Sequence, residues 1–157
     1  MNDTTTVDLL VDPACPWCWV TARWLVEVEK VRPVAIRWGL FDLAEVNRSE
    51  DDERMSASHA AGEIALRVLV QARRTGGQEA LARLYSEMGE AWHERGERLG
   101  ETATLESCAT AAGLPATIVA TALGDPTTTD ELLAEHREAV DAGAFGVPTL
   151  RLSGSPA

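Results

Sequence analysis

The sequence predicts an α/β fold in which one small β-sheet is interrupted by a long all-helical insertion. Three observations predict it. Through residue 41 an apolar run, an amphipathic stretch and a run of alternating character follow one another, which is the hydrophobic signature of β-α-β. Residues 48–143 hold no period-two pattern and are punctuated by glycines at helix-sized intervals. A strand-like stretch then returns, led in by Val147-Pro148.

The elements can be justified in order. Thr6 to Val11 (TVDLLV) is β-branched and apolar, closed by Asp12-Pro13, and reads as a strand buried on both faces. From Pro16, which suits the first helical turn because its missing N–H has no partner there anyway, Trp17, Val20, Trp24, Val28 and Val31 recur at helical spacing and predict the core stripe of a helix that Pro33 stops. Val34, Ile36, Trp38 and Leu40 alternate with Ala35, Arg37 and Gly39, a second strand. Asn47 to Glu53 is an acidic break. Helices are then expected over Ala60–Arg74, ending at Gly76-Gly77, and over Glu79–Arg95, with Leu81, Leu84, Tyr85, Met88 and Trp92 on one face. Three more are expected over Thr102–Ala112, Pro115–Leu123 and Asp130–Ala142, ending at Gly113, Gly124 and Gly143, where a left-handed residue would close each helix. Gly146 to Leu152 reads as a strand and Ser153 to Pro156 as a turn. First and last pieces sharing one sheet make a thioredoxin-like layout, with residues 1–47 and 144–157 in one domain and 48–143 as the helical insertion.

With 157 residues, 45% of them hydrophobic, the chain can bury one core without staples. A formal net charge of −11 argues against nucleic acid or an anionic membrane as partner, since a polyanion needs a basic footprint. Met1 to Thr6 has neither a basic nor an apolar leader segment, and no stretch approaches the roughly 20 apolar residues of a membrane span. The expected compartment is therefore the cytosol, where a C-x-x-C pair is redox-active or metal-binding more readily than a structural bridge.

That pair lies in DPACPWCWV, residues 12–20, at the predicted strand-to-helix junction. Cys15 would cap the helix and Cys18 would lie one turn inside it, close enough to bridge. The unpaired N–H groups and positive dipole end of the first turn stabilise a thiolate at Cys15, so Cys15 is the expected attacking sulfur and Cys18 the resolving one. A zinc site would need about four ligands, recruiting Cys108, His59, His93 or His136 at no recognisable spacing, so no metal is expected. A hydrolase built on Cys15 and His93 is disfavoured because the neighbouring Cys18 would oxidise with the nucleophile. Neither a nucleotide-binding glycine motif nor a P-loop is present, so electrons are expected to arrive through thiols.

Other residues read two ways. Val147-Pro148 is expected as a cis X-Pro bond facing the cysteines, with the Val147 backbone pairing with an incoming substrate; the alternative is a trans proline opening an edge strand. Trp17 and Trp19 are read either as an aromatic floor for a flat substrate or, for Trp17, as part of the helix stripe, while Trp24 is expected in the core. Asp12 either handles protons or shapes the turn. His93 is either a cleft residue or a cation at a helix end, and His136 is expected as a satisfied core histidine. Cys108 is read as a small buried hydrophobe, and no pattern reveals roles for His59 or Asn47.

The segments DPACPWCWVTARWLVEVEKVRP, LYSEMGEAWHERG, AGLPA and GVPTL resemble, in order and across nearly the whole chain, the mycothiol-dependent nitroreductases of actinobacteria. These are a cytosolic branch of the DsbA-like thioredoxin-fold family with Cys-Pro-Trp-Cys at the active site. A basic complement that is all arginine but Lys30 suits the GC-rich genomes of that group. The resemblance implies a Cys15/Cys18 dithiol recharged by mycothiol, with no nucleotide, flavin or metal, passing two electrons to a disulfide or a nitro-aromatic compound. Pro16, Trp17, Trp19, His93, Val147 and Pro148 are the candidate substrate-binding residues, of which His93 matches a histidine of the family segment. A general DsbA-like protein disulfide oxidoreductase or isomerase is the alternative, and a truncated non-catalytic or zinc-binding module the alternative of another class. The family fold continues past the proline strand with a further strand and helix that this sequence lacks. The resulting apolar face is expected to mark a fragment, a frameshifted product or an obligate homodimer.

Overall fold

A computed structural model of the chain describes residues 4–48 and 53–153, so most of the acidic break and the Gly154–Pro156 turn lie outside the described residues. Strand β1 (Thr5–Val11) is central in a three-stranded sheet of order β2-β1-β3. It pairs in parallel with β2 (Val34–Leu40) and antiparallel with β3 (Thr149–Ser153), in a register that sets Leu9 beside both Trp38 and Leu150. Helix α1 (Pro16–Val31) makes the crossover between the parallel strands. The β-α-β start and the late strand are thus joined in one mixed α/β sheet, as the sequence predicts.

Period-two alternation sorts β1 between two faces. Val7, Leu9 and Val11 join the main core with Cys18, Ala22 and Leu25 of α1, while Leu10 turns the other way to pack with Phe41, Ala139 and Ala144. Asp8, on that second face, takes both nitrogens of a bidentate pair from Arg37 at 2.6 and 2.8 Å, so the cross-strand charge is matched.

Between β2 and β3 come helices α2 (Leu43–Val46), α3 (Glu53–Gly89), α4 (Thr102–Ala111), α5 (Ile118–Gly124) and α6 (Thr127–Asp141). The short α2, capped by the Asp42 carboxylate on Ala44 N–H at 2.9 Å, has no counterpart in the sequence reading because four residues carry no period. Helix α3 is broken where expected, at Gly76 and at Gly77, whose φ of 68° is left-handed, but it begins at Glu53 rather than Ala60. Its second half ends at Gly89 and passes into one π-helical turn, Glu90–Glu94, instead of running as α-helix to Arg95. Helices α5 and α6 each start three residues from the expected position. Gly113 and Gly143 close α4 and α6 at φ of 77° and 98°. Gly124 is not left-handed, and α5 is stopped by the extended Asp125 before Pro126 instead. The orphan carbonyls at the end of α5 are satisfied by Arg67, which donates to Ala122, Leu123 and Asp125 oxygens at 3.1 to 3.3 Å. Arg73 ties α3 to α6 through Glu131 and Glu135 at 3.0 and 2.7 Å.

The expected stripe of α1 is corrected by the structure. Trp17, Val20, Trp24 and Val31 are 71, 58, 57 and 67% exposed, whereas Cys18, Trp19, Ala22 and Leu25 are buried. The helix carries apolar residues on both of these faces, and the one that docks is the one that brings Cys18 and Leu25 onto β1. Trp24 is therefore a surface residue, and so is Trp17.

Candidate active site

The loop between β1 and α1 is built by Asp12, which is fully buried. One carboxylate oxygen accepts Ala14 N–H at 2.8 Å and the other accepts Leu43 N–H at 3.0 Å, while its carbonyl accepts Cys15 N–H at 3.0 Å. A single side chain thereby locks the turn and fastens it to the start of α2. Gly62 of α3 lies so close that an added Cβ would sit 2.6 Å from the Asp12 carboxylate, which is how this long helix passes under the loop. Burial pushes the Asp12 pKa up from 3.8 to about 7, against the two backbone donors that lower it.

This turn leaves Cys15 at the N-cap of α1, with Pro16 as the first helical residue. Its sulfur accepts Cys18 N–H at 3.3 Å. The Cys18 thiol, hydrogen-bonded to that sulfur, is the largest influence lowering the Cys15 pKa from 9.0 to about 6, with the backbone N–H groups of Cys18 and Trp17 adding to it and burial opposing. Cys18 itself is fully buried, and desolvation raises its pKa. Both cysteines are buried and reduced but electrically unlike, Cys15 an anion at neutral pH and Cys18 a thiol.

The Val147–Pro148 bond is cis, and the Val147 carbonyl oxygen stands 3.7 Å from Cys15 Sγ. The chain ends of β1 and β3 meet here because their antiparallel register runs from Thr6 beside Ser153 to Leu10 beside Thr149. Cys15, Cys18, Val147 and Pro148 are thus brought together, with Pro16 and Trp17 exposed at the rim.

Trp19 does not join Trp17 on that rim. It is 7% exposed and its indole N–H donates to Glu94 at 3.2 Å. Its ring occupies the space left by Gly89, where any Cβ would overlap it, and stacks on the His93 imidazole at 6.2 Å between centroids and 16° between planes. His93 Nε2 lies 2.9 Å from the Pro13 carbonyl, so that nitrogen carries the hydrogen, and burial lowers the ring's pKa. The π-helical turn is what places His93 and Glu94 on one side of Trp19. Gly89, Glu94 and Gly62 had no signal in the sequence, since each acts only through a contact distant along the chain.

The remaining histidines and Cys108 lie elsewhere. His136 is 4% exposed, packs on Phe41 and accepts Asp42 N–H at 3.2 Å through Nδ1. His59 is buried beside Asn47 and Glu63 on the far side of α2. Burial raises the Cys108 pKa to about 11, as an inert thiol requires. Among the described residues no group of three or more His, Cys, Asp or Glu is placed to share a metal ion, and no helix is long and apolar enough to cross a membrane.

Solved structures share this fold. The cytosolic disulfide reductase DsbM from Pseudomonas aeruginosa, with GSH, superposes with a TM-score of 0.68 at 19% identity over 94% of this chain and 88% of that one. The oxidoreductase DsbA from Xylella fastidiosa does so with 0.66 at 16% identity over 95% and 73%. At such identities the likeness establishes a DsbA-like, thioredoxin-type fold. In sequence the chain is 34% identical over 151 residues to protein Rv2286c of Mycobacterium tuberculosis, covering 96% of this chain and 65% of that protein, so it spans about two thirds of that relative's length. The profile described as mycothiol-dependent nitroreductase Rv2466c matches residues 14–156, from the residue before Cys15 to beyond β3. That match over nearly the whole chain, on a DsbA-like sheet, places the chain in the Rv2466c-like family of mycothiol-dependent nitroreductases.

Proposed function

We propose that this chain is a cytosolic thiol–disulfide oxidoreductase working through Cys15 and Cys18. The observation that carries the reading is the unlike pair of sulfurs at the mouth of α1, with Cys15 held as an anion near neutral pH and Cys18 hydrogen-bonded to it. The Cys15 thiolate attacks a disulfide sulfur of the acceptor, one acceptor sulfur leaves and takes a proton from solvent, and Cys18, giving up its own proton, then displaces the second acceptor sulfur as the Cys15–Cys18 disulfide closes. Two electrons pass from the pair to the acceptor, with one proton from the Cys18 thiol and one from solvent, because Cys15 starts as the thiolate. With a nitro-aromatic acceptor the same two electrons and two protons yield a nitroso compound and water.

The Val147 carbonyl faces Cys15 and suits an acceptor lying as a short strand beside Pro148, while the exposed Trp17 offers a ring face at the rim. His93, bonded to Pro13, and Trp19 support the loop from beneath. We assign these two to positioning rather than to substrate contact. The family match supports a small thiol reductant such as mycothiol, which would supply the thiol that reopens the oxidised pair. The long helical segment 48–143 forms the insertion domain in this reading. Exposed Trp17 and Phe145, at 71 and 93%, favour a second reading in which apolar segments of protein disulfides are also accepted.

Mass spectrometry of Cys18→Ser treated with mycothiol disulfide tests the assignment. An adduct confined to Cys15 is expected. An adduct on Cys108, or none under conditions in which the unsubstituted protein is oxidised, overturns it.

A further inference from the structure

On the opposite flank of α1 from Cys15 Sγ lies a cleft of about 300 Å³, between α1 and the second half of α3. The two flanks are distinct because Sγ looks toward Val147 and β3, whereas the cleft opens over Trp38 of β2, and β1 separates these strands. Trp19, Trp38 and Tyr85 form its walls, none more than 8% exposed. The Tyr85 ring stands 5.2 Å from Trp38 and 6.2 Å from Trp19, inclined by 45° and 52°. The space exists because the facing helices carry alanine there, Ala22 and Ala82.

The charges at the mouth are unequal in availability. Arg83 is engaged by Glu79 at 2.7 Å and by the Ala112 carbonyl at 3.0 Å, and Glu29 accepts Ile36 N–H at 3.0 Å. Arg23 has its guanidinium 5.4 Å over the Trp19 ring and, among the described residues, forms no ion pair or hydrogen bond. One cation whose fork of donors makes no hydrogen bond among the described residues, though it lies over Trp19 and within electrostatic reach of Glu27, therefore borders a slot walled by aromatic rings.

We propose that this cleft binds a planar aromatic carboxylate of one or two rings, the ring lying against Trp19, Trp38 and Tyr85 and the carboxylate taken by Arg23. Inclined rings favour edge-to-face and offset contacts with an inserted ring, the guanidinium matches a carboxylate bidentately, and the volume suits a small ligand. No cysteine lines the cleft, so an occupant there does not require a free Cys15 thiol.

Calorimetric titration of the reduced full chain with 2-naphthoate tests this. One-to-one binding with a Kd of ~1 mM or tighter is expected, unchanged after Cys15 is alkylated with iodoacetamide. Ala82→Leu, entering the cleft from a half-buried position, weakens it at least about tenfold. Arg23→Gln, at an exposed position that does not endanger folding, weakens 2-naphthoate about tenfold and leaves neutral 2-naphthamide unchanged, the loss of one charge-assisted hydrogen-bonded pair. No binding at millimolar ligand, binding that Arg23→Gln leaves intact, normal binding by folded Ala82→Leu, or binding abolished by Cys15 alkylation would each overturn the proposal. The last would return the ligand to the thiol face.

Discussion

Replacing Cys18 with alanine should raise the Cys15 pKa from about 6 toward an ordinary thiol, because the Cys18 thiol is the largest influence lowering it. A hydrogen bond to an ionised group is worth about 1.5–3 kcal/mol, which corresponds to roughly 1 to 2 pH units. Cys15 in Cys18→Ala should then titrate near ~7 to 8, the backbone N–H groups of the first helical turn accounting for what remains. At pH 7 the thiolate fraction would fall from about nine-tenths to between roughly one-tenth and one-half. Thiolate absorbance near 240 nm, with the iodoacetamide rate as a function of pH, reads both proteins. The same shift has a signature in stability. The folded value of Cys15 lies below its unfolded one, so its contribution to the reduced protein is complete above about 9 and is lost as pH falls through about 6. That interval bounds the effect at about 4 kcal/mol. The oxidised protein lacks it, so urea melts of the reduced and oxidised forms should diverge between pH 6 and 9 in favour of the reduced form. A Cys15 that titrates near 9 in the unsubstituted chain, or that is indifferent to Cys18→Ala, would refute the reasoning.

Further outcomes follow from named contacts. Asp12 is protonated more readily folded than unfolded, so its burial lowers stability progressively as pH rises from about 4 to 7. Asp12→Asn, which turns an amide N–H toward a backbone donor, should cost about 1–3 kcal/mol at pH 4, and urea melts should show this deficit shrinking by pH 7; a constant deficit would mean that Asp12 is ionised throughout. Gly89→Ala should destabilise by about 1–3 kcal/mol and shift tryptophan fluorescence, because the new methyl overlaps the Trp19 ring. An unchanged melt would place that ring elsewhere. Leu25→Ala, in the core, should cost about 2–5 kcal/mol, whereas Trp24→Gln, on the exposed face, should stay within about 0.5 kcal/mol; chemical denaturation giving the reverse order would restore the stripe of Trp17, Val20 and Trp24 to the core.

Much was legible in the sequence because the signals are local. A β-branched run closed by Asp12-Pro13, a proline at the first helical position and period-two alternation from Val34 to Leu40 each act through the backbone of their own segment. The same holds for Cys15 and Cys18, since a helix start aims its N–H groups at whatever residue caps it. Tertiary structure alone decided which face of α1 is buried, because Trp17, Val20, Trp24 and Cys18, Ala22, Leu25 are both apolar and periodicity cannot choose between two greasy faces. It decided that Trp19 turns inward, since the room is supplied by Gly89 and the hydrogen-bond acceptor by Glu94 on a π-helical turn far along the chain. It also decided that Asp12 is buried and spans two elements. The start of α1 at Pro16 and the cysteine motif follow from bonds within a few residues. Burial, ring placement and the meeting of Val147 with Cys15 depend on contacts between segments distant in the chain, which exist only once the fold has closed.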